Sequence, residues 1–275
     1  MDDRYRPTKY FATNTDVGEA TWNNENITFD RMNSFGVEGH ATGYINSGTN
    51  NYISYSFKRA KGFFDMVFYH GAASTGDGIQ DVPHSLGVQP ELMIIKCRSH
   101  QKHGMVYHKD FTSTDKFLRL DGQGPEGDDA NAWNDQAPSA TSFRVGTSDF
   151  TNKQGEQFIA YLFASVAGVS KIDHYDGTGN AVEVECGFNP RFVMVRRIDE
   201  QDAGGGVAGD WYVWDTIRGI NVGGDSHLTL NTDDAEYTGV DYIDPYTAGP
   251  GFIITGEAPV ALNESGGKYI YLAIA

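Results

Sequence analysis

The last thirteen residues, Asn263 to Ala275, read NESGGKYIYLAIA and close on seven or eight residues of strand character. The same words occur twice before. NKQGEQFIAYLFA runs from Asn152 to Ala164, and NSGTNNYISYSFK, a looser copy, from Asn46 to Lys58. The three asparagines are 106 and 111 residues apart, and each is followed six positions later by an aromatic: Tyr52, Phe158, Tyr269. The likeness spreads outward. GFFDMVFYHG (Gly62–Gly71) matches GVSKIDHYDG (Gly168–Gly177), and LGVQPELMIIKCR (Leu86–Arg98) matches CGFNPRFVMVRRI (Cys186–Ile198). GMVYHKD then falls on WYVWDTI, KFLRL on SHLTL and SFRV on GFII, so Gly104 stands opposite Trp211.

Six ordered matches define two full units, 62–167 and 168–275. A partial first unit, 1–61, holds only the later half of the pattern (TKYFAT, ATWNN, then the Asn46 strand). Each full unit has about seven short strand words separated by Gly, Pro, Asn and Asp, the spacing of a sandwich. With 33 glycines, 13% aromatics and no sustained 3.6-residue periodicity, the expected fold is all-β: tandem antiparallel β-sandwich units of about 105 residues with little helix.

Alternation along the closing strand separates two faces. Ile53, Tyr55 and Phe57, Ile159, Tyr161 and Phe163, and Ile270, Leu272 and Ile274 form a large apolar face, expected to point between the sheets of each unit. The opposite face reads Ser54, Ser56, Lys58 in the first copy, which is wet. It reads Ala160, Leu162, Ala164 and Tyr271, Ala273, Ala275 in the others, and is expected to be covered by a neighbouring unit or subunit. Half a sandwich leaves a sheet edge and an inner face unpaired, so the partial unit is expected either to pack on the full unit beside it or to complete itself with another chain, and oligomerisation is expected.

Composition excludes several function classes. A formal charge of −16 is wrong for a nucleic-acid or anionic-membrane binder. No apolar run reaches the ~18 residues of a membrane span, and two cysteines, Cys97 and Cys186, make no disulfide framework. His100, His103 and His108 in SHQKHGMVYHKD are the best metal candidates, but no carboxylate completes a ligand spacing and the second unit has no counterpart. DGQGPEGDD (Asp121–Asp129) lacks the order of a calcium loop and reads as a flexible acidic loop. No carboxylate pair is singled out for glycoside hydrolysis, and no nucleophile elbow or zinc-protease motif occurs. DAGGGVAGDW (Asp202–Trp211) leads into a strand, so no helix N-terminus awaits a phosphate; it reads as a hairpin insertion. Trp22 and Trp133 sit in matching turns and read as structural plugs, with a sugar-stacking platform as the alternative. In WYVWD, Trp211 and Val213 share one face and Tyr212 and Trp214 the other, so at least one pair is expected in the core. No catalytic residue, cofactor or metal site is expected.

The words GFFDMVFYHG, HSLGVQPELMIIKCR, AWNDQAPSATSF and the N-x-x-G…YIYLAIA ending resemble a β-rich repeat domain of unassigned function from tail-fibre-type virion proteins of marine bacteriophages. The match runs from about Ala20 onward and recurs in each unit. Such fibres are longer, whereas this chain begins inside a unit, and Gly104 opposite Trp211 speaks against a shared site at that position. The resemblance implies a structural component of the virion surface, a tail fibre or related appendage contributing to host attachment. The alternatives are a capsid-decorating or tail-attached protein without receptor contact, and a polysaccharide-binding or polysaccharide-cleaving module. It further implies assembly in the host cytoplasm and exposure on the particle. The expected partners are other virion proteins, further copies of the chain, and a host surface glycan or protein. Receptor contacts are expected on the loops that differ between units, 72–82, 122–130 and 199–210.

Overall fold

Strands take up nearly all of the repeated words. The computed structural model describes residues 1–6, 8–22, 26–29, 34–38, 45, 47–48, 50–72, 78–199 and 209–275. The N-terminal region forms two small hairpins, β1 (Lys9–Tyr10) with β2 (Ala20–Thr21), and β3 (Asn26–Thr28) with β4 (Gly36–Glu38). Next come β5 (Phe64–His70), β6 (Gln80–Pro83), β7 (Leu92–Cys97), β8 (Met105–His108), β9 (Lys116–Arg119) and β10 (Gly127–Asp128). They are followed by a one-turn helix α1 (Ala130–Trp133), β11 (Ser142–Val145), a second turn α2 (Asp149–Asn152) and β12 (Gln157–Phe163). The remainder supplies β13 (Ser170–Asp176), β14 (Val182–Glu185), β15 (Phe192–Arg197), β16 (Tyr212–Asp215), β17 (Asp225–Thr229) and β18 (Tyr237–Val240). It ends with β19 (Ile243–Tyr246), β20 (Gly251–Ile254), α3 (Val260–Asn263) and β21 (Lys268–Ile274).

The strands form two large antiparallel sheets, ordered β10-β9-β8-β7-β12-β5 and β18-β17-β16-β15-β21-β13. Each is faced by a smaller sheet, β11-β6 for the first and β14-β20-β19 for the second. Position for position the two large sheets have the same order. The closing strands β12 and β21 are therefore interior, and each is paired on both sides. β7 is buried on both faces along its whole length, as a central strand with apolar alternation on either side must be.

Three apolar layers follow. Phe158, Ala160, Leu162, Trp133 and Phe143 pack between the first large sheet and its small partner. Tyr269, Tyr271, Ala273, Trp214 and Phe252 do the same in the second. The third layer lies between the two large sheets, where Met66, Ile94, Val106, Ile159 and Tyr161 meet Ile172, Met194, Val213, Ile270 and Leu272. Burying one such side chain contributes about 1.5–3 kcal/mol, so this interlayer is as much a core as the other two.

The expected face assignment is thereby corrected. Ile159, Tyr161, Phe163, Ile270 and Leu272 do not point between the sheets of their own unit; they face the other large sheet. Ala160, Leu162, Ala164, Tyr271 and Ala273 are covered, but by the small sheet of their own half, where the Phe252 ring meets Tyr271 edge-on. Tyr271 and Ala273 are 3% and 0% exposed, whereas Ala275 is exposed. Residues 52–58, expected as a strand, alternate half-buried Ile53 and Tyr55 with exposed Ser54 and Ser56 but belong to no sheet. Asn46, the first anchor of the repeat, lies outside the described residues.

The asparagine that marks each of the two full copies closes a turn. Asn152 Oδ1 accepts from Ala72 N (2.8 Å) and Gln80 Nε2 (2.9 Å), while its Nδ2 donates to the carbonyls of Gly78 (2.7 Å) and Gly146 (2.6 Å). Asn263 Oδ1 accepts from Thr178 N (2.9 Å), and its Nδ2 donates to Asn180 O (2.6 Å) and Thr255 O (2.9 Å). The glycine that precedes each clipped loop has no room for a side chain. A Cβ on Gly71 would lie 2.0 Å from Lys153 O, and one on Gly177 would lie 2.2 Å from Glu264 O. Both obstacles are backbone. Gly71→Ala and Gly177→Ala are each expected to cost about 3 kcal/mol or more in urea denaturation. Gly124→Ala, which meets nothing within 4 Å, should stay within about 0.5 kcal/mol.

Candidate functional site

The three histidines of SHQKHGMVYHKD do not gather. His100 Nδ1 lies against Glu156, which also takes the Ser99 hydroxyl. His103 Nδ1 is 2.8 Å from Asp121 Oδ2. His108 points into the layer between the large sheets with its side chain 1% exposed, and its Nδ1 accepts from Asp110 N at 3.1 Å. Burial pushes the His108 imidazole down to about 3. It is therefore neutral at pH 7, and its Nε2 is buried without a partner.

Beside His108 the two halves of the chain meet in a group of charges. Asp110, in the turn after β8, and Asp173 and His174, on β13, place ligand atoms within 4.8 Å of one another. That spacing suits a metal, so the charges decide the matter. Lys109 Nζ lies 2.7 Å from Asp110 Oδ2 and 3.6 Å from Asp173 Oδ1, the two oxygens a metal would need. Lys171 Nζ takes Asp173 Oδ2 at 2.7 Å. Two ammonium groups already match the two carboxylates, and the cluster reads as an ionic seam between sheets.

A second pair of junctions involves buried cations. Lys96 on β7 and Arg196 on β15 occupy matching positions and are 2% and 0% exposed. Lys96 Nζ donates to Thr15 O (2.9 Å) and Lys102 O (2.8 Å), and Arg196 Nη2 donates to Gly124 O (2.6 Å). Burial lowers both pKa values, that of Arg196 to about 10. Around each cation the backbone contacts correspond. Glu19 N donates to Arg98 O and Glu126 N to Ile198 O, both at 2.8 Å. Lys102 N donates to Asp16 O (2.8 Å), and Gly209 N to Gln123 O (3.2 Å). The hairpin β1–β2 thus docks on the first large sheet as β9–β10 docks on the second. This overturns the reading of DGQGPEGDD as a free flexible loop: residues 123–126 are tied to the second sheet. Residues 73–77 and 200–208, parts of the other two expected contact loops, lie outside the described residues, as does most of the glycine-rich stretch before Trp211.

The tryptophans are spent internally. Trp133 Nε1 donates to Lys116 O (2.9 Å) and Trp211 Nε1 to Arg119 O (3.1 Å), both indoles being buried. Trp22 stacks on Tyr10 with ring centroids 4.0 Å apart and donates to Asp2 at 2.8 Å. Trp211 and Val213 lie in the layer between the large sheets, Tyr212 and Trp214 in the layer beneath the small sheet, so both pairs are core.

Sequence reasoning missed the loop 216–224 between β16 and β17. Its Ile217 and Val222 are 78% and 75% exposed, the highest values for large apolar side chains among the described residues. The loop is held in shape. Asp215 Oδ1 accepts from Ile217 N (2.9 Å) and Arg218 N (3.0 Å), and Asp215 Oδ2 pairs with Arg218 Nε (2.6 Å) and Tyr55 OH (2.8 Å). Ile220 anchors it in the core. The uncharged run I-N-V-G-G after Arg218 was the available signal.

Residues 6–275 match a family described as a domain of unknown function, DUF7483. The chain belongs to the DUF7483 family. No curated protein and no solved structure matches it. The DUF7483 match spans both large sheets and both docking hairpins of this chain.

Proposed function

We propose that this chain is a structural component of a virion surface, in a tail fibre or related appendage, and that it contributes to host attachment. The observation that carries this reading is the recurrence of one docking junction, a hairpin on the end of a central strand, at 15–19 on Lys96, Arg98 and Lys102 and at 123–126 on Arg196, Ile198 and Gly209. A junction that repeats along a chain suits a protein built by serial addition of units, here a partial one over 1–61 and full ones over 62–167 and 168–275. The resemblance of the repeated words to virion repeat domains supports that location. Several polar groups in the core clip turns and join layers, as Asn152, Asn263, Lys96 and the Asp110–Asp173 seam illustrate. Contact with the host is assigned to rigidly held loops, of which 216–224 presents two aliphatic side chains to water.

Antibody against the chain is expected to mark the tail tip or fibres of intact particles; marking over the capsid would replace the proposal with a decorating role. The double substitution Ile217→Asp, Val222→Asp is expected to lower host adsorption at least tenfold with the unfolding midpoint unchanged. Release of reducing sugar ends from host envelope polysaccharide would instead identify a cleaving module.

A further inference from the structure

Nine successive residues, 51–59, make no backbone hydrogen bond to any described residue. In sequence they match β12 and β21, each of which is paired on one flank by a β5-type strand and on the other by a β7-type strand. Side chains, not a ladder, hold the segment: Tyr55 and Phe57 set their ring edges against Phe192, and Phe57 also meets Phe163. The effect of the missing neighbours is visible at one position. Phe158 and Tyr269 are 0% exposed and stack on Tyr69 and Tyr175 of the flanking strand, whereas the matching Tyr52 is 49% exposed. Backbone groups without partners among the described residues favour strand addition.

A second observation points to the same missing element. Hairpins β1–β2 and β9–β10 each dock on the outer end of a β7-type strand through the N–H of Glu19 or Glu126. The corresponding hairpin β17–β18 has Glu236 at that position, and residues 233–239 are all exposed. The two places are linked, because Arg218 Nη2 bonds Tyr55 OH (2.6 Å) while Arg218 Nη1 faces Glu236 Oε1 at 3.6 Å.

We propose that a β5–β8 type of half-unit from outside residues 1–275 docks here, its β5-like and β7-like strands flanking 51–59 and a carbonyl at the end of its β7-like strand accepting from the Glu236 N–H. Its β7-like strand is apolar on both faces and bears Lys or Arg where Lys96 and Arg196 stand, a cation matched to Asp233, Asp234 and Glu236. A second copy of this chain is not the occupant, because its own strands β5–β8 and β13–β16 are already paired.

The test uses the whole chain and a synthetic peptide of the β7 sequence, Gln89 to Arg98 with Cys97→Ser. Amide hydrogen exchange in 51–59 is expected to be fast in the free chain and to slow at least tenfold with the peptide. A scrambled peptide should have no effect. Ser54→Pro, at an exposed position without a backbone bond, should abolish the slowing while leaving the unfolding midpoint unchanged. Slow exchange without peptide, exchange the peptide leaves unaltered, or slowing that tracks self-association of the chain would each overturn the proposal.

Discussion

Replacing Asn152 or Asn263 by alanine is expected to remove about 3–5 kcal/mol of unfolding free energy, because two carbonyls and at least one amide are left buried without partners, each costing roughly 1–3 kcal/mol. Asn152 and Asn263 are 0% and 4% exposed, so water cannot replace the lost bonds. Aspartate should do no better. It keeps the acceptor for Ala72 or Thr178 but turns an oxygen toward the two carbonyls that the amide served. Urea denaturation of the four variants checks this, and a loss below 1 kcal/mol in the alanine variants would show that these residues are not the clips described.

Acidification from pH 7 to pH 4 is expected to cost roughly 3 kcal/mol through His108 alone, at about 1.4 kcal/mol per pH unit. The imidazole sits at about 3 in the folded chain because burial disfavours its charged form, against 6.5 for an ordinary histidine. The unfolded chain therefore takes up the proton first. Stability is fully present above pH 6.5 and is lost progressively as the pH falls toward 3. His227, ringed by Tyr212, Trp214, Tyr237 and Tyr242 and pushed down to about 4 by burial, adds to the loss in the same direction. Burial raises the Asp225 carboxyl, which acts oppositely, gaining stability as it is protonated. His108→Leu should flatten the curve between pH 6.5 and 4, measured as unfolding free energy against pH. An unchanged slope in that variant would remove His108 from the account.

The repeated words were enough to read strands, their order and their alternation, because period-2 patterning and turn glycines are local. The layers were not legible. Sequence shows that Ile159, Tyr161 and Phe163 share a face, but which sheet covers that face depends on strands and helices tens of residues away. Alanines at 160, 164 and 273 suit the small sheets that pack over them, and the bulkier face fills the space between the large sheets. Residues 52–58 carry the strand pattern without the neighbours that make a strand. Neither the Asp110–Asp173 seam nor the match of Thr15 with Gly124 has a sequence signal, since a backbone carbonyl accepts a cation whatever its side chain. Trp133 as a plug was legible from its recurrence in a matching turn.

Where the chain sits and what flanks residues 51–59 are open to a single measurement. Imaging intact particles that carry the protein, at residue-resolving resolution, tests both together. The expected density places the chain in a surface appendage, with a strand paired on each side of 51–59 and the turn at 233–236 against a half-unit from outside residues 1–275. A chain found inside the capsid, with 51–59 bare on both flanks, would contradict it.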